Sequence, residues 1–157
     1  MQKYPITPQG LEKMSNELLK LKNSDRPRII LAIAEAKEQG DLSENAEYTA
    51  AKEEQGMIEA KIADLESKIT LSEVINPADI KSNKVQFGAT VTLIDIDTDE
   101  LKQYYIVGDY ESDLTKSKIS IFSPLAHAML GRQIGDEVES QTPRGLRHYE
   151  EKDIEYK

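Results

Sequence analysis

Between Leu11 and Leu71 the apolar residues recur at alternating steps of three and four, the spacing of a helical seam. A first helix is predicted to open at Thr7-Pro8, a capping residue followed by proline at the first helical position. Leu11, Met14, Leu18 and Leu21 form its stripe. Ser24-Asp25-Arg26-Pro27 breaks the phase, because proline inside a helix removes one backbone bond; a kink or restart is expected there. The stripe resumes with Ile30, Ile33 and Ala34 and stops at Gly40. A second helix is expected from about Leu42-Ser43-Glu44, with a seam of Ala51, Gln55, Ile58, Ile62, Leu65 and Ile69.

Two seams joined by a few residues bury themselves by folding back on each other, which predicts an antiparallel coiled-coil hairpin. Arms of about 30 residues at about 1.5 Å per residue give a rod of about 45 Å. Ala46, Thr49, Ala50 and Ala51 replace larger residues near the bend, so that end is expected to be slim.

After Asn76-Pro77 the pattern changes to short β-branched and aromatic runs between turn residues. Strands are predicted over Gln86–Asp97, Lys102–Val107, Lys118–Phe122, Glu137–Gln141 and Tyr149–Tyr156, the last two joined across Pro143-Arg144-Gly145. Ser123 to Gly131 has a serine cap, proline at the first position and a glycine stop, which predicts one short helix. The expected fold class is α+β. A hairpin over residues 1–76 precedes a domain over 77–157, a twisted antiparallel sheet covered by that helix.

Composition narrows the function. Twenty Lys and Arg against 29 Asp and Glu leave a net charge of −9, which opposes free duplex DNA. Cysteine is absent, which excludes disulfides, thiolate metal sites and a cysteine nucleophile. No window approaches a membrane span, so a cytoplasmic location without membrane partners is expected. His127 and His148 lack the spacing of metal ligands, and no phosphate-binding glycine loop or nucleophile elbow is present.

The informative stretch is Gly40-Asp41-Leu42-Ser43-Glu44-Asn45-Ala46-Glu47-Tyr48, at the expected bend. Asp41 and Glu44 lie three residues apart across a helix start. Acids there favour the helix dipole or cap the first turn. The same two carboxylates can also share one Mg²⁺, an ion that keeps several waters and completes its shell from a partner. Lys37 and Lys52, one on each arm, read either as ordinary solvated lysines or as a small basic spot for a phosphate chain.

The run from Ile33 to Tyr48, followed by Ala50-Ala51-Lys52-Glu53, resembles the tip signature of the bacterial Gre transcript cleavage factors, most of all their GreA branch. Val85-Gln86-Phe87-Gly88-Ala89-Thr90-Val91, Ser120 to Ala126, Gly135-Asp136-Glu137-Val138 and Thr142-Pro143 extend the resemblance over essentially the whole chain. It implies a coiled-coil hairpin joined to an FKBP-like domain, without prolyl isomerase activity.

The family resemblance implies an accessory factor rather than an enzyme: its partner, RNA polymerase, holds the cleavage site. The hairpin would enter the polymerase's secondary channel and meet the 3′ end of backtracked RNA. By the same resemblance, Asp41 and Glu44 match the paired tip acids that help hold a second, shared Mg²⁺. Lys37, Asn45, Tyr48 and Lys52 fall where the family contacts RNA or polymerase, and Ser123 and Pro124 in its docking region. No independent sequence-specific DNA binding is expected. The stretch Pro143 to Asp153 is more charged than the family's usual final hairpin and lacks its double glycine. The competing readings are a non-catalytic channel plug or a chaperone-like coiled coil; two carboxylates alone supply too few ligands for a free-standing nuclease.

Overall fold

A computed structural model describes residues 3–40 and 45–157. The chain divides into two compact units, one formed by Leu11–Leu71 and the other by Ser72–Lys157 together with the residues up to Gly10. The opening residues therefore belong to the second unit, whereas the sequence pattern groups all of 1–76 with the hairpin. Their tie is a short strand β1 (Tyr4–Ile6) running parallel to β2 (Ser72–Val74). Three residues are too few to show a period, and their partner lies almost seventy residues away.

The first arm comprises α1 (Pro8–Lys20), a π-turn over Leu21–Asp25 and α2 (Arg26–Glu38). The helix does not break at Pro27. Instead the Arg26 N–H bonds back to the Leu21 carbonyl, the five-residue step of a π-turn. The wider turn meets proline's missing donor and bulky ring just where an α-helix would suffer from them. It also changes the phase. The buried residues beyond it are Ile29, Ile33 and Ala36, while Ile30 is 52% exposed and Ala34 also faces solvent. Leu21, Asp25, Ile29 and Ile33 follow at three successive steps of four, a drift that the extra residue of the π-turn absorbs.

The second arm is α3 (Ala46–Leu71), 26 residues and so about 39 Å long. Its buried residues are Ala51, Ile58, Ile62 and Leu65, all on the expected seam. Ion pairs join the arms from Lys22 to Glu66 at 2.7 Å, Arg26 to Glu59 at 2.7 Å and Arg28 to Glu54 at 2.6 Å. One number rises as the other falls, so the arms are antiparallel. Among the described residues, the buried ones nearest the bend are Ala36 and Ala51, both small.

The other unit is built on a five-stranded sheet. Its strands are β3 (Ala89–Asp95), β4 (Leu101–Val107), β5 (Lys118–Ser120), β6 (Glu137–Thr142) and β7 (Gly145–Tyr156). A single short helix, α4 (Pro124–Met129), lies between β5 and β6 in the chain. The sheet order is β5-β4-β3-β7-β6. The sheet is mixed rather than wholly antiparallel, because β5 runs parallel to β4. Two 3₁₀ turns, Asp109–Glu111 and Leu114–Lys116, carry the chain back beside Tyr105 of β4, where β5 begins. Val91, Leu93, Ile106, Ala126, Met129, Val138 and Tyr149 make one buried core between sheet and helix.

A β-bulge in β7 decides what else faces that core. Thr92 pairs with Asp153 and Leu93 with Glu151, so Lys152 is the extra residue. Alternation restarts there. Ile154 and Tyr156 pack on the core on one side of the bulge, and Tyr149 and Glu151 on the other.

Candidate functional site

Helix α2 ends on Gln39, whose N–H bonds to the Ala36 carbonyl, and on Gly40 at φ +123°, a conformation suited to glycine. Asn45 begins the return. Its Oδ1 accepts from the Tyr48 N–H at 3.1 Å, a helix cap. Its Nδ2 donates to the Ala36 carbonyl at 2.6 Å, so one side chain caps α3 and ties it to α2. This clamp is a feature that motif reading misses. Its signal is an asparagine at a helix start, which has both an acceptor and a donor to offer.

Asp41 and Glu44, the predicted metal ligands, lie outside the described residues. Lys37 is exposed on the last turn of α2, and Tyr48 is half-buried in the first turn of α3. Lys52 is exposed and its Nζ meets Gln55 Oε1 at 3.2 Å. Among the described residues no group of three or more His, Cys, Asp or Glu side chains is placed to hold a metal.

In the sheet unit, Ser123 and Pro124 have a plain structural duty. The Ser123 Oγ accepts the Ala126 N–H at 3.2 Å and Pro124 occupies the first position of α4. Pro124 is exposed, and beside it Phe122 is 46% exposed. The Phe122 ring stands edge-on to Tyr4 at 6.1 Å, and Tyr4 lies 5.9 Å from Tyr110. This aromatic group joins three distant stretches of chain, which is why the local pattern around Ser123 does not reveal it. Nearby, the Glu111 carboxylate accepts from the backbone of Thr7 and Gly108 and from the Thr7 hydroxyl. It thereby fastens β1 and the helix cap to the 3₁₀ turn.

One buried titratable group stands out. Glu151 is fully buried with neither carboxylate oxygen hydrogen-bonded among the described residues. Loss of water pushes its carboxyl up to about 7; Asp136 adds to the rise and Arg132 opposes it. Among the described residues no helix is long and apolar enough to cross a membrane.

Comparison with known proteins covers both units. Residues 4–74 match the family described as "Transcription elongation factor, N-terminal", and residues 80–156 that described as "Transcription elongation factor, GreA/GreB, C-term". The transcription elongation factor GreA of Jannaschia sp. (strain CCS1) is 53% identical, over 99% of both chains. That of Rickettsia prowazekii is 50% identical, over 99% of this chain and 96% of the relative. Among solved structures, the GreA factor homolog 1 (Gfh1) protein of Thermus thermophilus is 26% identical with a TM-score of 0.45, covering 98% of this chain and 99% of its own. With both units matched in order and half of all positions identical to named relatives, the chain belongs to the GreA/GreB family of transcription elongation factors.

Proposed function

We propose that this protein binds RNA polymerase, passes its hairpin into the secondary channel and stimulates the polymerase's own cleavage of backtracked RNA. Family membership supports the elongation role, and the end of the hairpin supports the mechanism. The single observation that carries it is the Asn45 clamp: α2 ends at Glu38, Asn45 is bonded back to Ala36, and the seven residues between α2 and α3 include Asp41 and Glu44.

Asp41 and Glu44 form a hard oxygen donor pair, the chemistry that suits Mg²⁺. Two carboxylates make a weak site alone and a competent one only where a partner adds ligands. When bound, the ion supplies an activated water and charge stabilisation for in-line displacement at phosphorus. Asp41 and Glu44 hold and orient. Lys37 and Lys52, one per arm, bind the phosphates of the extruded RNA and keep its 3′ segment in line. Tyr48 supplies a ring for stacking against an unpaired base. Exposed Pro124, presented by the Ser123 cap, docks the sheet unit on the polymerase. The nuclease is the polymerase; this chain is its accessory.

The test is a stalled polymerase complex with labelled RNA and Mg²⁺. The wild-type protein shortens the transcript from its 3′ end. The double variant Asp41→Asn, Glu44→Gln is expected to fall to the rate of polymerase alone while still competing for polymerase binding. Normal cleavage by that variant would overturn the metal role. Pro124→Ala, in contrast, should weaken binding and leave cleavage at saturation unchanged.

A further inference from the structure

Helix α4 is six residues long and covers only part of the sheet's core face. Beyond it the same face turns charged. Lys102 stands opposite Leu93, and Asp95 opposite Tyr149, with Arg147 two residues before Tyr149 on β7. The β3–β4 and β6–β7 turns lie at this one end of the sheet and wall an open cleft of about 400 Å³. Its lining includes Asp95, Lys102, Thr142, Arg144, Arg147 and Tyr149.

The cleft has one cation with an acidic partner and two that make no ion pair with a described residue. Asp95 is 3% exposed, and its Oδ1 accepts from the N–H groups of Asp97 at 2.9 Å and Thr98 at 3.3 Å. Its Oδ2 forms an ion pair with Arg147 Nη1 at 3.8 Å, longer than a hydrogen bond, and the guanidinium donors are unused by any described residue. The side chains of Lys102 and Arg144 make no hydrogen bond or ion pair with a described residue. Glu100, the other acid of the lining, is exposed. In a chain of net charge −9, three cations against two acids leave this lining net positive.

We infer that the cleft is a binding site for a phosphate-bearing small molecule. Lys102 of β4, Arg147 of β7 and Arg144 of the turn between β6 and β7 line one space, which matches the several oxygens and double charge of a phosphate better than a single carboxylate. The volume exceeds what one phosphate fills and is at the small end of ligand pockets, so a diphosphate or a nucleotide fits. The charged Pro143 to Asp153 stretch supplies Arg144 and Arg147. The site stands apart from the polymerase mechanism and does not depend on it.

The experiment is a titration of the ¹⁵N-labelled full chain with sodium pyrophosphate at constant ionic strength, followed by amide NMR shifts. Saturable shifts confined to residues 95–102 and 142–149 are expected, and Lys102→Ala with Arg144→Ala should weaken binding about tenfold. Both positions are exposed, so the fold is retained; Lys116→Ala, on a different turn, should change nothing. A nucleoside diphosphate forms the second arm: tighter binding than pyrophosphate identifies a nucleotide as the source, and equal binding identifies free phosphate. Non-saturating shifts spread over many lysines and arginines, or saturable binding indifferent to the double variant, would overturn the site.

Discussion

The two units bury their apolar residues in different ways. In the hairpin most seam residues keep some contact with water, Met14 at 7%, Ile33 and Leu65 at 8%, because two helices meet along a line and each side chain has an open flank. In the sheet unit Val91, Leu93, Ile106, Ala126 and Met129 are at 0%, enclosed by neighbouring strands and by α4. A line of contacts is slender and can be extended turn by turn. A layered core is compact and supports turns that hold charged groups in place. Slenderness and charge-holding are thus divided between the units.

That contrast can be broken or sharpened by substitution. The largest effect is expected from Leu93→Ala, which opens a cavity where strands cannot close in; about 3–4 kcal/mol should be lost in chemical denaturation of the sheet unit. Leu65→Ala on the hairpin seam should cost about 2 kcal/mol, since helices can shift to fill the gap. Equal losses would dissolve the distinction.

Next comes Glu151. Its carboxyl is at about 7 when folded and near the ordinary carboxylate value when unfolded, so the folded state holds its proton more tightly. Stability attached to that proton is fully present below about pH 4.5 and is lost as pH rises through about 7. Glu151→Gln should flatten this part of the stability profile and raise stability above pH 7, by about 1–3 kcal/mol. An unchanged profile would mean that the buried carboxyl is solvated.

Asn45→Ala removes a cap and a cross-arm bond and should cost about 1–2 kcal/mol, seen as faster amide exchange at Tyr48 and Thr49. Arg26→Ala should have the smallest effect. The Arg26–Glu59 pair is solvent-exposed, so its loss should be hard to measure in denaturation and absent at 1 M salt.

Much of this architecture is legible in the chain. The 3-and-4 steps expose both arms, and Ser123-Pro124 exposes α4, because these signals are local. The phase of α2 is hidden: Pro27 announces a disturbance, but whether a helix breaks or widens depends on the facing arm. The parallel placement of β5 is equally hidden, since strand direction is set by the 3₁₀ turns of the connection rather than by strand composition. Strand β1 and the Tyr4–Tyr110–Phe122 group depend on partners far away in sequence. For the site, the Asp41 and Glu44 motif is plain in the sequence. The Asn45 clamp beside it is half legible: an asparagine at a helix start signals the cap, but its bond to Ala36 depends on where the facing arm ends.

The bulge at Lys152 has a consequence for how this strand can vary in length. Because Lys152 has no opposite number on β3, removing it would straighten β7 without turning any side chain around. Losing a residue closer to the turn has no such slack and would swap Arg147 and Tyr149 for their outward neighbours. A single spare position therefore acts as an expansion joint, and insertions or deletions in this strand should be tolerated there and penalised elsewhere.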